Sequence, residues 1–481
     1  MKRVLGFLLS LLMLLSVAAC GVNTDTPSET KAEGTQAATD AETEKDFFPD
    51  VEKTDYKGET FRMIGWQSAN SWYYSESYSG DASDGQSILS NTLYERNAMI
   101  EEYLGVTMEY EFCEGHYIFN TVQTTVMAGD DVYQAGFLHP YYGICSFITQ
   151  NYAMDLYDLP SFDIDQPYWN KDVIESLTIN DKAFVGLGDA CRYDLNILYC
   201  NKDLLQTANM TVPYDMVKNG TWVLDTFFSM TQNLYADNGD GQRNNADTYG
   251  FAAMWDANGS VFMQACDIYV VTRNEDDEFE LSLYGNRLID MYDKLYNWTK
   301  DESTYIWSFA DRANENVTMN FLDGKIYFTH TKLGTQYLES EFALGILPMP
   351  KYDANQASYA HVNWGDNLVV PNSIKNQEMV SDVLELMGYY SKTILQPKYY
   401  DEVLQLRVSD SPDDRDMVEL IYSSVVFDPG IAFCEENSGL YNLVYLPCFA
   451  IREDQANISS YHKKHSRSAE RFLSQLFEKV G

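Results

Sequence analysis

The sequence comprises 481 residues, with 33 Lys and Arg against 72 Asp and Glu and a formal net charge of -39. At roughly 100 to 200 residues per domain, this length predicts two or three domains or one large bilobal body. The acidity excludes a broad nucleic-acid binder and disfavours electrostatic binding to anionic lipid, because both need fields of Lys and Arg. The hydrophobic fraction of 45% is that of an ordinary globular protein.

The N-terminal residues are typical of an export signal. A basic start precedes an apolar stretch over residues 4–18, which is shorter than the about 20 residues of a membrane span. This stretch ends in Val17-Ala18-Ala19-Cys20, which resembles the bacterial lipobox. We expect a lipoprotein signal peptide over 1–19, lipid on Cys20 and a flexible tether over 20–46; the alternative is an ordinary secretory signal with an incidental cysteine.

From residue 58 the hydrophobic pattern alternates between strand and helix. We predict strands over Thr60–Ile64, Val106–Phe112 and Tyr133–Leu138, separated by helices over 89–104 and 117–128. This order is a βαβαβ unit, which implies a parallel sheet flanked by helices.

A second unit of similar pattern follows. Further strands are predicted over 184–187, 195–199, 326–329, 343–347 and 368–370. Thr221 is a candidate cap for a helix that carries Trp222, and we place Trp222, Trp298 and Trp307 in helical core segments. Beyond Ile374 the chain is mainly helical. The sequence therefore predicts an α/β protein of two lobes.

Cysteines and catalytic motifs give little indication of chemistry. The eight cysteines form no CxxC and no zinc pattern, so they are either buried inert thiols or include a disulfide such as Cys191–Cys200. The chain has no GxSxG, no HExxH, no P-loop and no GxGxxG that opens a helix. We predict no catalytic residue and no required cofactor.

One segment, residues 236–247, is similar to a twelve-position calcium loop. Its candidate metal ligands are Asp237, Asn238, Asp240, Gln242 and Asp247, and Gly241 at position 6 allows the sharp turn. Position 1 is Ala236, so the first acid comes one residue late. Two alternatives stay open: a structural Ca²⁺ site, or a Gly-Asp turn without metal.

Several motifs together resemble the extracellular solute-binding proteins of family 1, the substrate-binding lipoproteins of ABC importers. The resemblance rests on the order of stretches spread over nearly the whole mature chain, of which no single one is decisive. They are Tyr94-Glu95-Arg96-Asn97, Tyr199-Cys200-Asn201-Lys202-Asp203-Leu204-Leu205, Thr221-Trp222, Thr248-Tyr249-Gly250-Phe251, Gly345-Ile346-Leu347-Pro348-Met349-Pro350, Gln396-Pro397-Lys398-Tyr399-Tyr400 and Asp428-Pro429-Gly430.

The resemblance implies a two-lobed periplasmic-binding-protein-like fold in which each lobe is a sheet flanked by helices and a hinge joins the lobes. It places the crossings near 188–196 and 359–366, with lobe one over 47–190 plus 362–400 and lobe two over 191–361 plus 401–481. It further implies a carbohydrate ligand, ABC permease subunits as partners and a location on the extracellular face of the bacterial membrane. We expect a monomer that binds no nucleic acid.

A sugar site needs aromatic platforms for the C–H face of the ring and polar partners for its hydroxyls. Such residues are expected in loops after strands and in the crossings. The candidates are Trp66, Trp72, Tyr73, His139, Asp189, Arg192, Trp255, Asp256, His330, Trp364 and Asp366. Each of these has an alternative role in the core, on the surface or, for the charged residues, in an ion pair.

Three function classes remain open at this point. The leading one is a binding protein that captures a carbohydrate, such as an oligosaccharide, and delivers it to a permease. The second is a surface glycan-active enzyme, which requires two carboxylates about 5 to 10 Å apart. The third is a binding protein for peptides or other polar solutes, whose walls would be charged rather than aromatic.

Overall fold

The computed structural model describes residues 47–66, 78, 80, 88–307, 321–333, 340–398, 411–435 and 438–480, without the side chains of residues 88, 116, 254–259 and 307. The predicted signal peptide, the tether, Cys20, Trp72 and Tyr73 lie outside these ranges. No helix in the described ranges is both long enough and apolar enough to cross a membrane.

The first sheet is built from the predicted βαβαβ unit. Its strands are β1 (Glu59–Trp66), β2 (Val106–Cys113), β3 (Ala135–Leu138) and the later β12 (Asn367–Val369), in the order β12-β3-β1-β2. Strand β1 pairs in parallel with both β2 and β3, whereas β12 is antiparallel to β3. Helices α1 (Ile88–Leu104) and α2 (Gly115–Ala128) pack on this sheet. The predicted parallel arrangement is confirmed.

The second sheet has mixed strand directions. Its strands are β4 (Asn196–Asn201), β5 (Tyr249–Met254), β8 (Thr304–Trp307), β9 (Ile326–Lys332) and β10 (Leu344–Leu347), in the order β10-β4-β9-β5-β8. Strand β5 is parallel to β8 and β9, and β4 is antiparallel to β9 and β10. Two short pairs complete the strands: β6 (Val271–Arg273) with β7 (Phe279–Leu281), and β11 (His361–Val362) with β13 (Val425–Val426).

Helices surround both sheets and dominate the C-terminal part of the chain, as the sequence predicts. After α2 they are α3 (Ile144–Thr149), α4 (Lys171–Ser176), α5 (Lys202–Thr207), α6 (Tyr214–Lys218), α7 (Leu224–Thr231), α8 (Trp255–Ala265), α9 (Asn286–Trp298), α10 (Gln377–Tyr390), α11 (Pro412–Ser423), α12 (Pro429–Ala432), α13 (Tyr441–Val444), α14 (Leu446–Arg452) and α15 (Ile458–Val480). A short 3-10 turn (Leu156–Asp158) and a π-helical turn (Ser391–Leu395) add to them. Helices α7 and α8 pack on β5.

Two chain segments that connect the sheets run side by side in opposite directions. Bridges pair Gly186 with Leu368 at one end and Leu195 with Asn363 at the other. Between them, the Trp364 amide donates to the Asp194 carbonyl and the Asp366 amide to the Arg192 carbonyl, both at 3.0 Å. We call residues 186–195 the first crossing and residues 363–368 the second crossing. The division of the chain into lobes at these positions stays a prediction.

Three local expectations are wrong. Residues 184–187 form no strand, and only Gly186 makes an isolated bridge. Thr221 caps no helix, because α7 begins at Leu224 and the Thr221 hydroxyl donates to the Met216 carbonyl. Trp307 lies in a strand rather than in a helix.

Trp222 and the cysteines belong to the core. Trp222 lies outside the predicted helix but is fully buried, with its indole N–H donating to the Pro348 carbonyl at 2.9 Å. All seven cysteines in the described part of the chain are free, so the Cys191–Cys200 disulfide that the sequence left open is not formed. Six of the seven are buried.

Candidate functional site

The crossings bring together two ion pairs. Arg192 Nη2 lies 3.3 Å from Asp366 Oδ1, and each residue belongs to a different crossing. Asp194 pairs with Lys332, which lies at the end of β9. The two carboxylates are almost completely buried, whereas the two cations keep 14% and 20% of their side-chain surface exposed. The exposed groups of this cluster are therefore the two cations, and each of them is paired with a carboxylate that is buried.

Burial raises the pKa of Asp366 above its ordinary value, although Arg192 and the Tyr78 hydroxyl oppose the rise. That hydroxyl donates to Asp366 Oδ2 at 3.0 Å, and the Arg192 amide in turn donates to the Tyr78 oxygen. Tyr78 itself is buried against Phe137 of β3, with ring centroids 4.1 Å apart. The second crossing is thus fixed to the first sheet through a buried tyrosine.

His139 follows β3, as the sequence predicts, and lies beside these charges. Its burial lowers its pKa well below the ordinary value, and Lys332 and Arg192 add to this effect. The Tyr141 amide donates to Nδ1 at 3.2 Å, so the neutral ring carries its proton on Nε2. His139 is therefore an uncharged donor next to the ion pairs.

A continuous line of ring contacts extends from the first sheet to the second crossing. We call it the aromatic row; its members, in order, are Trp66, His139, Tyr142, Tyr141, Tyr441, Tyr445 and Trp364.

The half of the row near β1 is built by the last residue of β1 and by the loop after β3. Trp66 ends β1, and its ring lies 5.6 Å from His139 and 5.3 Å from Tyr142. Tyr142 meets Tyr141 edge to face at 5.2 Å. Because β1 and β3 are parallel neighbours, their carboxyl ends lie at the same edge of the sheet, which brings Trp66 and His139 together.

The other half of the row comes from the C-terminal part of the chain. Tyr141 and Tyr441 have ring centroids 5.4 Å apart and their hydroxyl oxygens 3.5 Å apart. Tyr445 lies 5.1 Å from Tyr441 and 5.6 Å from Trp364. Nothing in the sequence singles out the two C-terminal tyrosines, because they lie some 300 residues from Tyr141.

Trp364 ends the row and is largely enclosed. Only 6% of its surface is exposed, so Trp364 is packed almost as a core residue. Its indole N–H donates to Oε1 of Gln264 at 3.2 Å. Gln264, on α8, is also buried, and its Nε2 makes no hydrogen bond among the described residues. Sequence reasoning missed Gln264 because a glutamine within an apolar helix carries no motif.

Asp189 is separate from this cluster. It pairs with Lys392 of the π-helical turn at 3.2 Å, and burial raises its pKa. Both residues line a cavity of about 350 Å³ together with Trp169 and Tyr193. Asp189, Arg192 and Asp194, three charged residues of the first crossing, thus belong to three different ion pairs.

The remaining candidates differ in how far the structure places them. His330 lies in β9, is 6% exposed and has its ring 6.5 Å from that of Phe251. It shares a face of the strand with Lys332, two residues later. Trp255 and Asp256 start α8, but their side chains lie outside the described part. Lys332, which sequence reasoning also missed, could have been found as the charged end of an apolar strand.

The calcium-like loop brings three carboxylates together. Oxygens of Asp237, Asp240 and Asp247 all lie within 4.8 Å of one another. Asp237 Oδ1 accepts from the Gly239 and Gly241 amides, at 2.6 and 3.2 Å. Both glycines have positive φ, 103° and 68°, which side-chain-bearing residues rarely adopt.

Asp247 organises the base of this loop. Its Oδ1 accepts from the Asn238 amide at 2.9 Å and its Oδ2 from the Asn244 amide at 3.0 Å. Burial opposes ionisation of Asp247, but these hydrogen bonds outweigh it and lower its pKa. Asn238 Oδ1 accepts from the Asp240 amide, and the Gln242 amide donates to Asp240. Oxygen donors on a tight turn are the ligands that a hard cation such as Ca²⁺ prefers.

Known structures share this architecture over most of their length. The substrate-binding protein Lmo0181 of Listeria monocytogenes, solved with cycloalternan, is 13% identical with a TM-score of 0.59, covering 87% of this chain and 99% of its own. The chain has the fold of the ABC solute-binding proteins. MalE of Xanthomonas citri is 13% identical with a TM-score of 0.56, covering 88% of this chain and 100% of its own.

The acarbose-binding GacH receptor of Streptomyces glaucescens is 13% identical with a TM-score of 0.55, covering 86% of this chain and 99% of its own. No family model matches the sequence, and no curated protein matches it. The predicted two-lobed fold is therefore confirmed, and the resemblance to family 1 is supported at the level of the fold.

Proposed function

We propose that this protein is the extracellular solute-binding component of an ABC importer and that it captures a carbohydrate at the aromatic row. The aromatic row beside the two ion pairs is the observation that carries the proposal. Aromatic faces bind the C–H surface of sugar rings, and Arg, Lys and His N–H groups donate to hydroxyl oxygens. Structures of the same fold were solved with cycloalternan, acarbose, ribitol and tagatose.

The candidate residues divide into two roles in this proposal. Trp66, at one end of the row, provides a stacking surface together with Tyr141 and Tyr441, whereas the enclosed Trp364 supports the other end from within the core. His139, Arg192 and Lys332 donate hydrogen bonds, while Asp366 fixes Arg192. Asp189 lies apart from the row and takes no part in this proposal. Ligand contacts by Trp72, Tyr73, Trp255, Asp256 and His330 stay predictions from the sequence.

We propose binding without catalysis. The carboxylates at the row, Asp194 and Asp366, are each held in an ion pair with a cation. A glycosidase needs one carboxylate free to act as nucleophile or base and another as acid. The charged side chains at the row are paired and the wall is aromatic, which favours a carbohydrate over a peptide.

Delivery to a permease and attachment to the membrane complete the proposal. Export, cleavage before Cys20 and lipidation of that cysteine would anchor a monomer at the extracellular face of the bacterial membrane. Hinge closure around the ligand would then present one shape to the permease. Mass spectrometry of the N-terminal peptide tests the lipidation. The wild-type peptide should carry the mass of the lipid, and replacement of Cys20 by alanine should abolish this mass.

The binding experiment is a thermal shift of the purified protein against mono- and oligosaccharides and against peptides. A ligand that binds only the folded state raises the melting temperature by mass action. The proposal predicts a shift with a carbohydrate that is recovered unchanged. A shift with peptides alone supports a binding protein for another solute, and recovery of a cleaved glycan supports an enzyme.

We propose that the loop over residues 236–247 holds a structural Ca²⁺. Three carboxylates in close contact repel one another, and a divalent cation relieves this repulsion. Among the described residues Arg243 forms no salt bridge with these carboxylates, and its guanidinium donates instead to the Glu302 and Thr304 carbonyls. An isolated bridge between Ala236 and Thr248 joins the two ends of the loop directly before β5, so the order of the loop bears on the stability of the second sheet.

Calcium is tested by the melting temperature with Ca²⁺ and with a chelator. Chelation should lower the melting temperature of the wild type, and Asp240→Asn should remove most of this difference because it weakens the ligand set. Asp203→Asn, an exposed acid on α5, is the control and should keep the full response. Equal melting temperatures of the wild type under both conditions would leave the loop as a metal-free turn.

A further inference from the structure

We propose that the exposed side of the C-terminal helix α15 docks on the anionic phosphate groups of a membrane surface. We call this side the basic face; its members are Lys463, Lys464, Arg467 and Arg471. The proposal goes beyond carbohydrate binding, and it rests on the proposed lipid anchor only for the place where docking occurs in the cell.

The basic face is the densest group of cations in a strongly acidic chain. Residues 463–471 hold four of the 33 Lys and Arg, whereas the whole chain has a formal net charge of -39. No other stretch of nine residues in the sequence holds four basic residues. The composition therefore excludes a broad basic surface, but it leaves room for this local one.

Helical geometry places the four cations on one side of α15. At about 100° per residue they fall within an arc of about 100° and span about 12 Å along the helix axis. All four side chains are exposed. Glu470 is the only acid within these nine residues, and Glu478 follows about two turns later. The opposite side of the helix is buried through Tyr461, Ala469, Leu473 and Leu476.

The cations of the basic face are available to a partner. Within the described ranges they form neither a salt bridge nor a side-chain hydrogen bond, whereas the partly exposed Lys294 and Lys300 pair with acids. Lys464 Nζ lies 5.4 Å from the ring centroid of Tyr461, a contact that leaves its N–H donors unused. An anion that reaches this face does not have to displace a carboxylate.

The body of the protein holds the basic face in a fixed position. Helix α15 packs against α3, α13, α14 and β7. Near its end, the Asn180 amide group donates to the Phe477 carbonyl at 3.0 Å and Lys182 to the Val480 carbonyl at 3.1 Å. Docking therefore orders no backbone, which lowers its entropic cost.

Screening makes a local basic face effective on an acidic protein. The Debye length is about 8 Å at physiological ionic strength, so charges farther than this from the membrane contribute little. Each Lys or Arg close to an anionic lipid surface is attracted to it. The acidic remainder of the surface is repelled, so the body should approach such a membrane with the basic face first.

A membrane is the partner that the observations favour. The proposed lipid on Cys20 keeps a phosphate-bearing surface next to the body, at an effective concentration that a soluble partner does not reach. A second copy of this chain is disfavoured, because two bodies with a net charge of -39 repel each other.

Co-sedimentation with lipid vesicles tests the proposal without the lipid anchor. The protein is the unlipidated chain over residues 20–481 with Cys20→Ala, and the vesicles contain either phosphatidylcholine alone or an equal mixture with phosphatidylglycerol. At low salt, binding to the mixed vesicles should be about tenfold stronger or more, because several cations act together. Raising the salt to about 0.5 M should remove the difference.

Two double variants separate the basic face from the net charge. Lys463→Glu with Arg467→Glu should abolish the preference for phosphatidylglycerol. Lys57→Glu with Arg415→Glu changes the net charge equally at two exposed cations outside α15, and it should keep the preference. If the first double variant does not fold, Lys463→Gln with Arg467→Gln tests the same face with a smaller change.

The outcomes keep this proposal apart from the proposed function. Equal binding to both kinds of vesicle, or equal losses in the two double variants, overturns the basic face as a lipid-docking surface. Binding of soluble polyglutamate without binding of phosphatidylglycerol vesicles assigns the face to an acidic protein and also overturns the proposal. Failure to bind any glycan, or absence of lipid on Cys20, contradicts the proposed function and leaves the vesicle result standing.

Discussion

The buried Glu385 makes the stability of the protein depend on pH. Glu385 lies on α10 with no exposed surface, and its carboxylate accepts from the Tyr168 hydroxyl, from the Trp169 indole N–H at 2.8 Å and from the Asp163 amide at 3.2 Å. The Tyr168 carbonyl in turn accepts from the Asp189 amide at 2.8 Å. The carboxyl therefore supports the start of the first crossing.

Burial raises the pKa of Glu385 from 4.5 to about 7, although the hydrogen bonds from Tyr168 and Trp169 oppose the rise. Between pH 4.5 and 7 the unfolded chain loses this proton while the folded chain keeps it. The free energy of unfolding therefore falls as the pH rises through this range. At about 1.4 kcal/mol for each pH unit, the loss amounts to roughly 3 kcal/mol and is complete above pH 7.

The variant Glu385→Gln isolates this contribution. A glutamine can keep all three contacts, because Oε1 accepts from Trp169 and Asp163 while Nε2 donates to the Tyr168 oxygen in place of the second carboxylate oxygen. The variant does not titrate, so its stability relative to the wild type should improve by about 3 kcal/mol between pH 4.5 and pH 8.

Urea unfolding of both proteins at a series of pH values measures this difference. Other acids whose pKa burial raises, among them Asp428 at about 6, Asp366 and Asp189, are common to both proteins and cancel in the comparison. Parallel curves across the range would contradict this contribution, since they would mean that Glu385 ionises equally in the folded and unfolded chains.

Two further substitutions test the site and the crossings. Trp66→Ala should weaken glycan binding by roughly tenfold, about 1.4 kcal/mol, in calorimetry, because it removes one end of the aromatic row, whereas alanine in place of the exposed Tyr117 should have no effect. Gly365→Ala should lower the free energy of unfolding by about 2 kcal/mol or more in urea, because its Cβ would lie 1.8 Å from the Arg192 carbonyl oxygen. Gly285→Ala, where a Cβ meets open space, is the control, and equal stability of the two alanine variants would contradict the contact.

The sequence predicts the first sheet well because its signals are local. The alternating residues of β2 and the helical spacing in α1 each lie within one short segment, and the order of the elements implies a parallel sheet. The capping prediction at Thr221 failed for a physical reason. Trp222 packs into the core and its backbone bonds to the Met216 carbonyl, so the helix begins only at Leu224.

The candidate site was predictable in part. Trp66 and His139 follow neighbouring strands, and this position alone singled them out. Lys332, Gln264 and Tyr441 escaped prediction because each meets the site through a contact between distant segments. The ion pairs at the crossings could not be predicted from the sequence either, since composition shows how many acids a chain has but not which cation each acid pairs with.

The most direct test of a carbohydrate site at the aromatic row is a calorimetric titration of the purified protein with neutral oligosaccharides, followed by mass spectrometry of the glycan. We predict saturable binding of at least one glycan that is recovered unchanged, and substantially weaker binding after Trp66→Ala. Absence of binding by every glycan, or binding that Trp66→Ala leaves untouched, would contradict the assignment of a carbohydrate site to the aromatic row.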